Sequence, residues 1–131
     1  GGPGGAKATA NMALVLAKCI HLLLAYATMQ PYPFSTEQAN ALPKLLHYLR
    51  TFYATREKLK RDTEAYRCVT ELSLSLMETL CKLVEFHPLA FVSYARQFLP
   101  FALEVLAVSR KGDQVPFEEF SVLCLRFLRE V

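Results

Sequence analysis

The chain has 131 residues, of which 53% are hydrophobic and 21% are charged, and its formal net charge is +3. This composition excludes a disordered chain except at the ends, and the small charge excludes the dense basic surface of a dedicated nucleic-acid-binding protein. The most apolar stretch, residues 19–27, is shorter than the roughly 20 apolar residues that cross a bilayer, so we expect no membrane insertion. What remains is a helical protein with more apolar side chains than a small monomer needs.

The N-terminal part divides into a leader and a first helix. Residues 1–8 are rich in glycine and predict a flexible leader, and residues 9–131 are expected to form the helical part of the chain. Over about 9–29 the apolar residues recur at steps of three or four and cover nearly the whole circumference. We expect such a helix to be covered on more than one side and to end before Pro31 and Pro33.

The second helix is predicted over about 37–60. Ser35 and Gln38 have the spacing of a capping box at its start. Pro43 lies inside this span, which favours a kinked continuous helix over a later start at about Leu42.

The third helix is predicted over about 63–86, with Asp62 or Thr63 as its N-cap. The fourth follows over about 89–108. Pro100 removes one backbone hydrogen bond in the middle of that helix, so we expect a bend there.

A glycine-containing loop at 110–113 separates the fourth helix from a fifth at about 117–130. The sequence therefore predicts an all-α fold of about five antiparallel helices. Two helices recur about every 50 residues, slightly more than the roughly 40–47-residue period of HEAT and armadillo repeats. We expect an internal slice of a HEAT-like α-solenoid, with a closed bundle as the alternative. Such a slice exposes apolar surface on its first and fifth helices, where neighbouring repeats are missing.

The four cysteines, Cys19, Cys68, Cys81 and Cys124, are widely separated and form no CxxC or close Cys/His pair. Each lies among apolar neighbours at helical spacing. We expect buried free thiols.

The sequence contains no catalytic, metal-binding or cofactor-binding motif. His21 is expected to be semi-buried, His47 to lie on a helix flank, and His87 to lie at a helix end. No serine lies in a nucleophile elbow, and no glycine-rich loop has the pattern of a phosphate site. The chain is therefore predicted not to be an enzyme and to need no cofactor.

Two further features have a structural and a binding interpretation. The basic run at 56–61 is interleaved with acidic residues, which favours a solvated helix end over contact with an acidic protein surface. The many phenylalanines of the last third favour core packing. The alternative is that Phe101 or Tyr94 lines a groove for a partner peptide or helix.

A family resemblance is carried by residues 85–124. The segment 85–91 (EFHPLAF) precedes a helix with Phe98 and Leu103, and the segment 115–120 (VPFEEF) is followed by Cys124. This ordered set resembles an internal HEAT-repeat segment of the importin-beta superfamily, and it is most similar to the importin-eleven-type nuclear transport receptors.

The resemblance extends over about residues 80–131 and implies a large superhelical receptor. Such a receptor carries protein cargo through the nuclear pore under the control of a Ran-type GTPase, and it shuttles between nucleus and cytoplasm. It implies protein cargo, a Ran-type GTPase and nucleoporins as partners. The second and fourth helices would be outer helices, and the third and fifth would be inner ones. Because the family binds through surfaces, the resemblance assigns no protein-binding residue.

Two other functions are compatible with the helical pattern. The first is a HEAT or armadillo-type scaffold for another protein complex. The second is a self-contained helical bundle with a lipid or peptide groove or a small enzymatic role.

Overall fold

The computed structural model describes residues 3–29, 33–109 and 117–131, without the side chains of residues 3–10 and 109. These parts form five α-helices and one short 3-10 turn, and no strand occurs in them. The helices are α1 (Pro3–Ala25), α2 (Thr36–Lys58), α3 (Glu64–Phe86), α4 (Pro88–Ser109) and α5 (Glu118–Glu130), and the 3-10 turn Tyr26–Thr28 follows α1. The prediction of an all-α fold with five helices is confirmed.

The first helix begins earlier than the sequence indicated. It starts at Pro3, so most of the predicted leader over 1–8 is helical, and its α-helical part ends at Ala25 rather than at 29. Proline is well tolerated in the first turn of a helix, and the alanine-rich segment 6–10 has high helix propensity. The glycines therefore do not prevent the helix. The expected stop at Pro31 lies outside the described residues.

The start of α2 is fixed by the predicted capping box. The Ser35 hydroxyl accepts a hydrogen bond from the Gln38 backbone N–H at 3.2 Å, and the Gln38 Oε1 accepts one from the Ser35 N–H at 2.8 Å. Gln38 Nε2 also donates to the carbonyl of Leu23 at 2.8 Å, which ties α2 to the end of α1. The helix continues through Pro43 and ends at Lys58 rather than at 60.

The next two helices follow the predicted spans closely. Thr63, and not Asp62, caps α3, because its hydroxyl accepts from the Tyr66 N–H at 3.2 Å. His87 ends α3, and α4 starts directly after it at Pro88 and continues through Pro100. The fifth helix begins at Glu118, one residue after the predicted start, whereas the predicted loop at 110–113 lies outside the described part of the chain.

The five helices form two layers. Each helix packs against the next one and the next but one along the chain, so α1, α3 and α5 lie in one layer and α2 and α4 in the other. In the part of the chain that the structure describes, α1 has no substantial packing against α4 or α5. The packing is therefore ordered along the chain and does not close on itself.

The inner contacts of the first layer show that α3 and α5 run parallel. In the last third of α3, the thiol of Cys81 donates to the carbonyl of Leu123 at 3.3 Å. Near the end of α3, Glu85 pairs with Arg126 at 3.1 Å. From the first contact to the second, the residue numbers increase along both helices, so α3 and α5 run in the same direction.

The second layer repeats this arrangement with α2 and α4. The ring of Phe34, just before α2, lies 6.2 Å from that of Phe91 near the start of α4. Further along, Arg50 of α2 pairs with Glu104 of α4 at 3.1 Å. The α2–α3 hairpin therefore stacks on the α4–α5 hairpin in the same orientation.

Between the two hairpins lies a phenylalanine-rich core. Its buried members from the last third of the chain are Phe91, Phe98, Phe101, Phe117, Phe120 and Phe127. Burying a side chain of this size contributes about 2–3 kcal/mol, so this cluster is a major source of stability. The core-packing interpretation is confirmed, except for Phe86, which is 39% exposed.

Candidate protein-binding surfaces

Among the described helices, α1 and the turn after it carry the greatest number of exposed large apolar side chains. The surface that they form is here called the α1 face. Its members are Met12, Val15, Leu16, Cys19, Leu22, Leu23, Tyr26 and Met29. They recur at steps of three and four, which places them on one side of the helix. The prediction that the first helix exposes apolar surface is confirmed. Both α2 and α3 pack against α1, in agreement with the expectation that it is covered on more than one side, but no described helix covers this face.

One edge of the α1 face borders a groove between α1 and α2, here called the α1–α2 groove. Its volume is about 470 Å³, and it is largely apolar. Leu16, Cys19 and Ile20 of α1 form one wall, and Pro43, Lys44, His47 and Tyr48 of α2 form the other. The two walls thus belong to two helices that pack against each other.

The groove has one lysine, Lys44, and no arginine or carboxylate among its lining residues. Residues 1–36 contain no acidic residue, so α1 contributes no carboxylate to the groove. The groove therefore combines an apolar floor with a positive rim, which is formed by Lys44.

Exposed apolar side chains also occur on α4 and α5. On α4, Leu89 is 90% exposed, and Val92 and Leu103 are exposed on the same helix. On α5, Val122 and Leu125 are exposed, which confirms the prediction for the fifth helix. The exposed residues of α4 were not predicted, because a single sequence does not show which side of an apolar helix has no neighbour.

The basic run at 56–61 is only partly solvated. The Arg56 guanidinium lies 3.6 Å from the centroid of the Phe117 ring and 4.8 Å from that of Tyr66, and its Nε donates to Thr70 at 3.0 Å. The interpretation of the run as a solvated helix end is therefore wrong for Arg56. This side chain joins α2, α3 and the start of α5. The other three cations of the run are exposed, as expected.

An open pocket of about 500 Å³ lies beside the start of α3. Arg61 and Arg67 line it, but so do Asp62, Glu71 and Glu119. Because two arginines are interleaved with three carboxylates, the pocket lacks the concentrated positive charge of an anion site.

His21 is half-buried, as predicted. Burial lowers the pKa of its imidazole below the ordinary value; the nearby Glu78 carboxylate opposes this shift and Lys82 adds to it. The neutral ring is therefore the form that suits the folded chain.

The other two histidines have structural surroundings. His87, at the end of α3, donates from Nε2 to the carbonyl of Ala27 at 2.5 Å and stacks on Phe34 with a centroid distance of 5.5 Å. His47 lies exposed on the flank of α2. Among the described residues, no three His, Cys, Asp or Glu side chains come together as a metal site.

The cysteines differ in their exposure. Burial raises the pKa of Cys81 to about 11 and that of Cys124 to about 12, so both remain protonated at neutral pH. Cys68 is half-buried and Cys19 is exposed. The prediction of buried thiols is wrong for Cys19, which lies on the uncovered face of α1. All four are free thiols, as expected.

The structure does not support the alternative that Phe101 lines a groove for a partner peptide or helix. The Phe101 ring is buried and packs edge-on against Phe120 at 5.9 Å. Tyr94 is half-buried beside Phe91. Phe101 is a core residue.

Two described helices are long and apolar enough to cross a membrane by length and composition alone. They are Asn11–Thr28, with mean hydropathy 1.5, and Pro88–Val108, with mean hydropathy 1.3. Only 17% of the first is buried. The stretch 19–27 is therefore part of a longer apolar segment, and its shortness gives no argument against membrane contact.

No protein-family model, no curated protein and no solved structure matches the chain. The binding surfaces described above are thus argued from their own geometry.

Proposed function

We propose that this chain is a protein-binding segment of an importin-beta-type nuclear transport receptor. Such a receptor carries protein cargo through the nuclear pore under the control of a Ran-type GTPase. The observation that supports the proposal is the parallel stacking of the α2–α3 hairpin on the α4–α5 hairpin. A repeat receptor needs this arrangement, since each unit then buries its apolar face against the next. The resembling segment 80–131 corresponds to the end of α3, α4 and α5.

In this proposal the chain acts by binding alone, without catalysis or a cofactor. The layer of α2 and α4 is the outer surface and faces nucleoporins, whereas α3 and α5 face cargo and the Ran-type GTPase. The receptor shuttles between nucleus and cytoplasm through the nuclear envelope. The exposed Leu89, Val92 and Leu103 supply apolar contact area on the outer layer.

The contacts between hairpins suit a receptor that changes its curvature. The buried phenylalanines hold the hairpins together, whereas the ion pairs Arg50–Glu104 and Glu85–Arg126 are partly exposed and each contribute about 1 kcal/mol or less. Small rotations between hairpins therefore break few strong contacts. In a longer stack such rotations add up.

Titration of a phenylalanine-glycine nucleoporin peptide into the isotope-labelled chain tests the proposal by NMR. We expect weak binding, with chemical-shift changes on exposed positions of α2 and α4. Leu103→Asp should reduce these changes, and Leu125→Asp on α5 is the matched control that should retain them. Equal shifts from a peptide with alanine in place of phenylalanine would argue against the transport proposal.

A HEAT or armadillo-type scaffold for another protein complex is the second candidate. The α1 face is as compatible with a scaffold as with a transport receptor, because an uncovered apolar helix suits any assembly of stacked helices. Binding of neither the nucleoporin peptide nor a GTP-loaded Ran-type GTPase would favour the scaffold.

A further inference from the structure

We infer that the α1–α2 groove binds an amphipathic helix of a partner protein, and that this helix carries acidic residues along its flank. The inference rests on the groove and its charges and does not depend on the transport proposal. The groove has a volume of about 470 Å³, within the range of roughly 300–1,000 Å³ that is common for binding sites.

The packing of α4 shows how a helix is held beside two neighbouring helices of this fold. It lies against α2 and α3, where Phe101 contacts the Tyr53 ring at 6.0 Å and Glu104 pairs with Arg50 at 3.1 Å. The occupant therefore supplies apolar contact in the middle and a carboxylate at the edge of α2. The α1–α2 groove lies on another pair of neighbouring helices and has Lys44 on its α2 wall. A helix is the shape that fits it.

The apolar floor favours a helix with an apolar face. Leu16 is 46% exposed in the groove, and Met12 and Leu23 continue its line along α1 at steps of four and seven residues. A docked helix with side chains at i, i+3, i+4 and i+7 follows such a line. A docked helix that covers these residues removes apolar surface from water. This burial stabilises the complex by about 25 cal/mol per Å².

The charge of the rim favours an acidic flank. Lys44 is the charged residue on the rim, no carboxylate lines the groove, and the first acidic residue of the chain, Glu37, is not among the lining residues. Acidic side chains on the docked helix are attracted by this rim. Basic side chains are repelled, so the charge also selects the partner.

The groove suits a helix better than a membrane surface. A bilayer favours a single helix that presents a convex apolar side flanked by cations. Here the apolar side chains belong to two helices and line a concave space, with Lys44, His47 and Tyr48 inside its wall. A flat lipid surface reaches the outer part of the α1 face but not this floor.

A pair of synthetic peptides tests the inference with the full chain. Both are about 18 residues long, so that they form helices, and both have leucine at i, i+3, i+4 and i+7. One carries glutamate on its flanks and the other lysine. Fluorescence anisotropy of labelled peptides should show that the glutamate peptide binds at least about tenfold more tightly, a difference of about 1.4 kcal/mol.

Charge reversal in the groove provides the matched variants. Lys44→Glu should weaken the glutamate peptide by about tenfold and strengthen the lysine peptide, whereas Lys58→Glu, also exposed on α2 but outside the groove, should change neither. Leu16→Asp should weaken both peptides, and circular dichroism checks that the variants retain their helices.

Three results would overturn the inference. The first is equal binding of the two peptides. The second is an unchanged affinity for the glutamate peptide in Lys44→Glu. The third is binding to vesicles of phosphatidylcholine and phosphatidylserine, reduced by Leu16→Asp, without binding of the glutamate peptide. Because none of these experiments uses a nucleoporin or a GTPase, their failure leaves the transport proposal intact.

Discussion

Substitution of Arg56 tests how the three elements around it are joined. The guanidinium over the Phe117 ring is worth about 1 kcal/mol at this half-buried position, and the longer contact with Tyr66 about 0.5 kcal/mol. The hydrogen bond to Thr70 adds about 1 kcal/mol. Because contacts of one side chain are not additive, we expect Arg56→Ala to lower the free energy of unfolding by about 2 kcal/mol.

Lysine at the same position separates charge from geometry. Arg56→Lys retains the charge and the aliphatic stem but loses the planar stacking and the Nε donor, so it should cost about 1 kcal/mol. Lys58→Ala is the matched control, since Lys58 is also a cation of the last turn of α2 but is exposed. It should cost about 0.5 kcal/mol or less, which is the contribution of the helix dipole alone.

Urea unfolding followed by far-ultraviolet circular dichroism measures these differences. A double-mutant cycle with Phe117→Leu isolates the ring contact and should give a coupling energy of about 0.5–1 kcal/mol. If Arg56→Ala costs no more than Lys58→Ala, the residue is a solvated helix end and the reasoning is refuted.

The remaining predictions concern a cap, a histidine and the thiols. Ser35→Ala should lower stability by about 1 kcal/mol, measured by thermal unfolding, because it removes the hydroxyl that caps α2. The lowered pKa of His21 means that the unfolded chain binds its proton more tightly. Stability should therefore fall as the pH drops below the ordinary value of 6.5, and less so in His21→Gln, by urea unfolding at several pH values. At neutral pH a thiol reagent should modify Cys19 first and leave Cys81 and Cys124 unmodified in the folded chain, which mass spectrometry can show.

Each of these expectations has an outcome that contradicts it. Serine-to-alanine substitution without loss of stability would mean that the remaining Gln38 contacts are sufficient to start α2. An equal pH dependence in wild type and His21→Gln would assign that dependence to other groups. Modification of the buried thiols at the rate of Cys19 would show that α3 and α5 open readily.

The sequence predicted those helix boundaries that depend on residues close together in the chain. The capping box at Ser35 and the cap at Thr63 depend on side chains and backbone groups three residues apart, so the sequence contains both partners. Helix α1 starts earlier than its glycines predict, because the alanine-rich segment that follows them has high helix propensity. The α1–α2 groove could not be found in the same way, since its walls come from two helices.

By itself, the sequence determined the helical class, the approximate helix spans and the excess of apolar side chains, because periodicity and caps act within one helix. Only the tertiary structure decided where the excess lies. It buried the phenylalanines of the last third, turned Arg56 inward and left Cys19 exposed on α1. The physical reason is that exposure depends on which neighbouring helix covers a given side, and that neighbour is set by contacts between residues far apart in the chain.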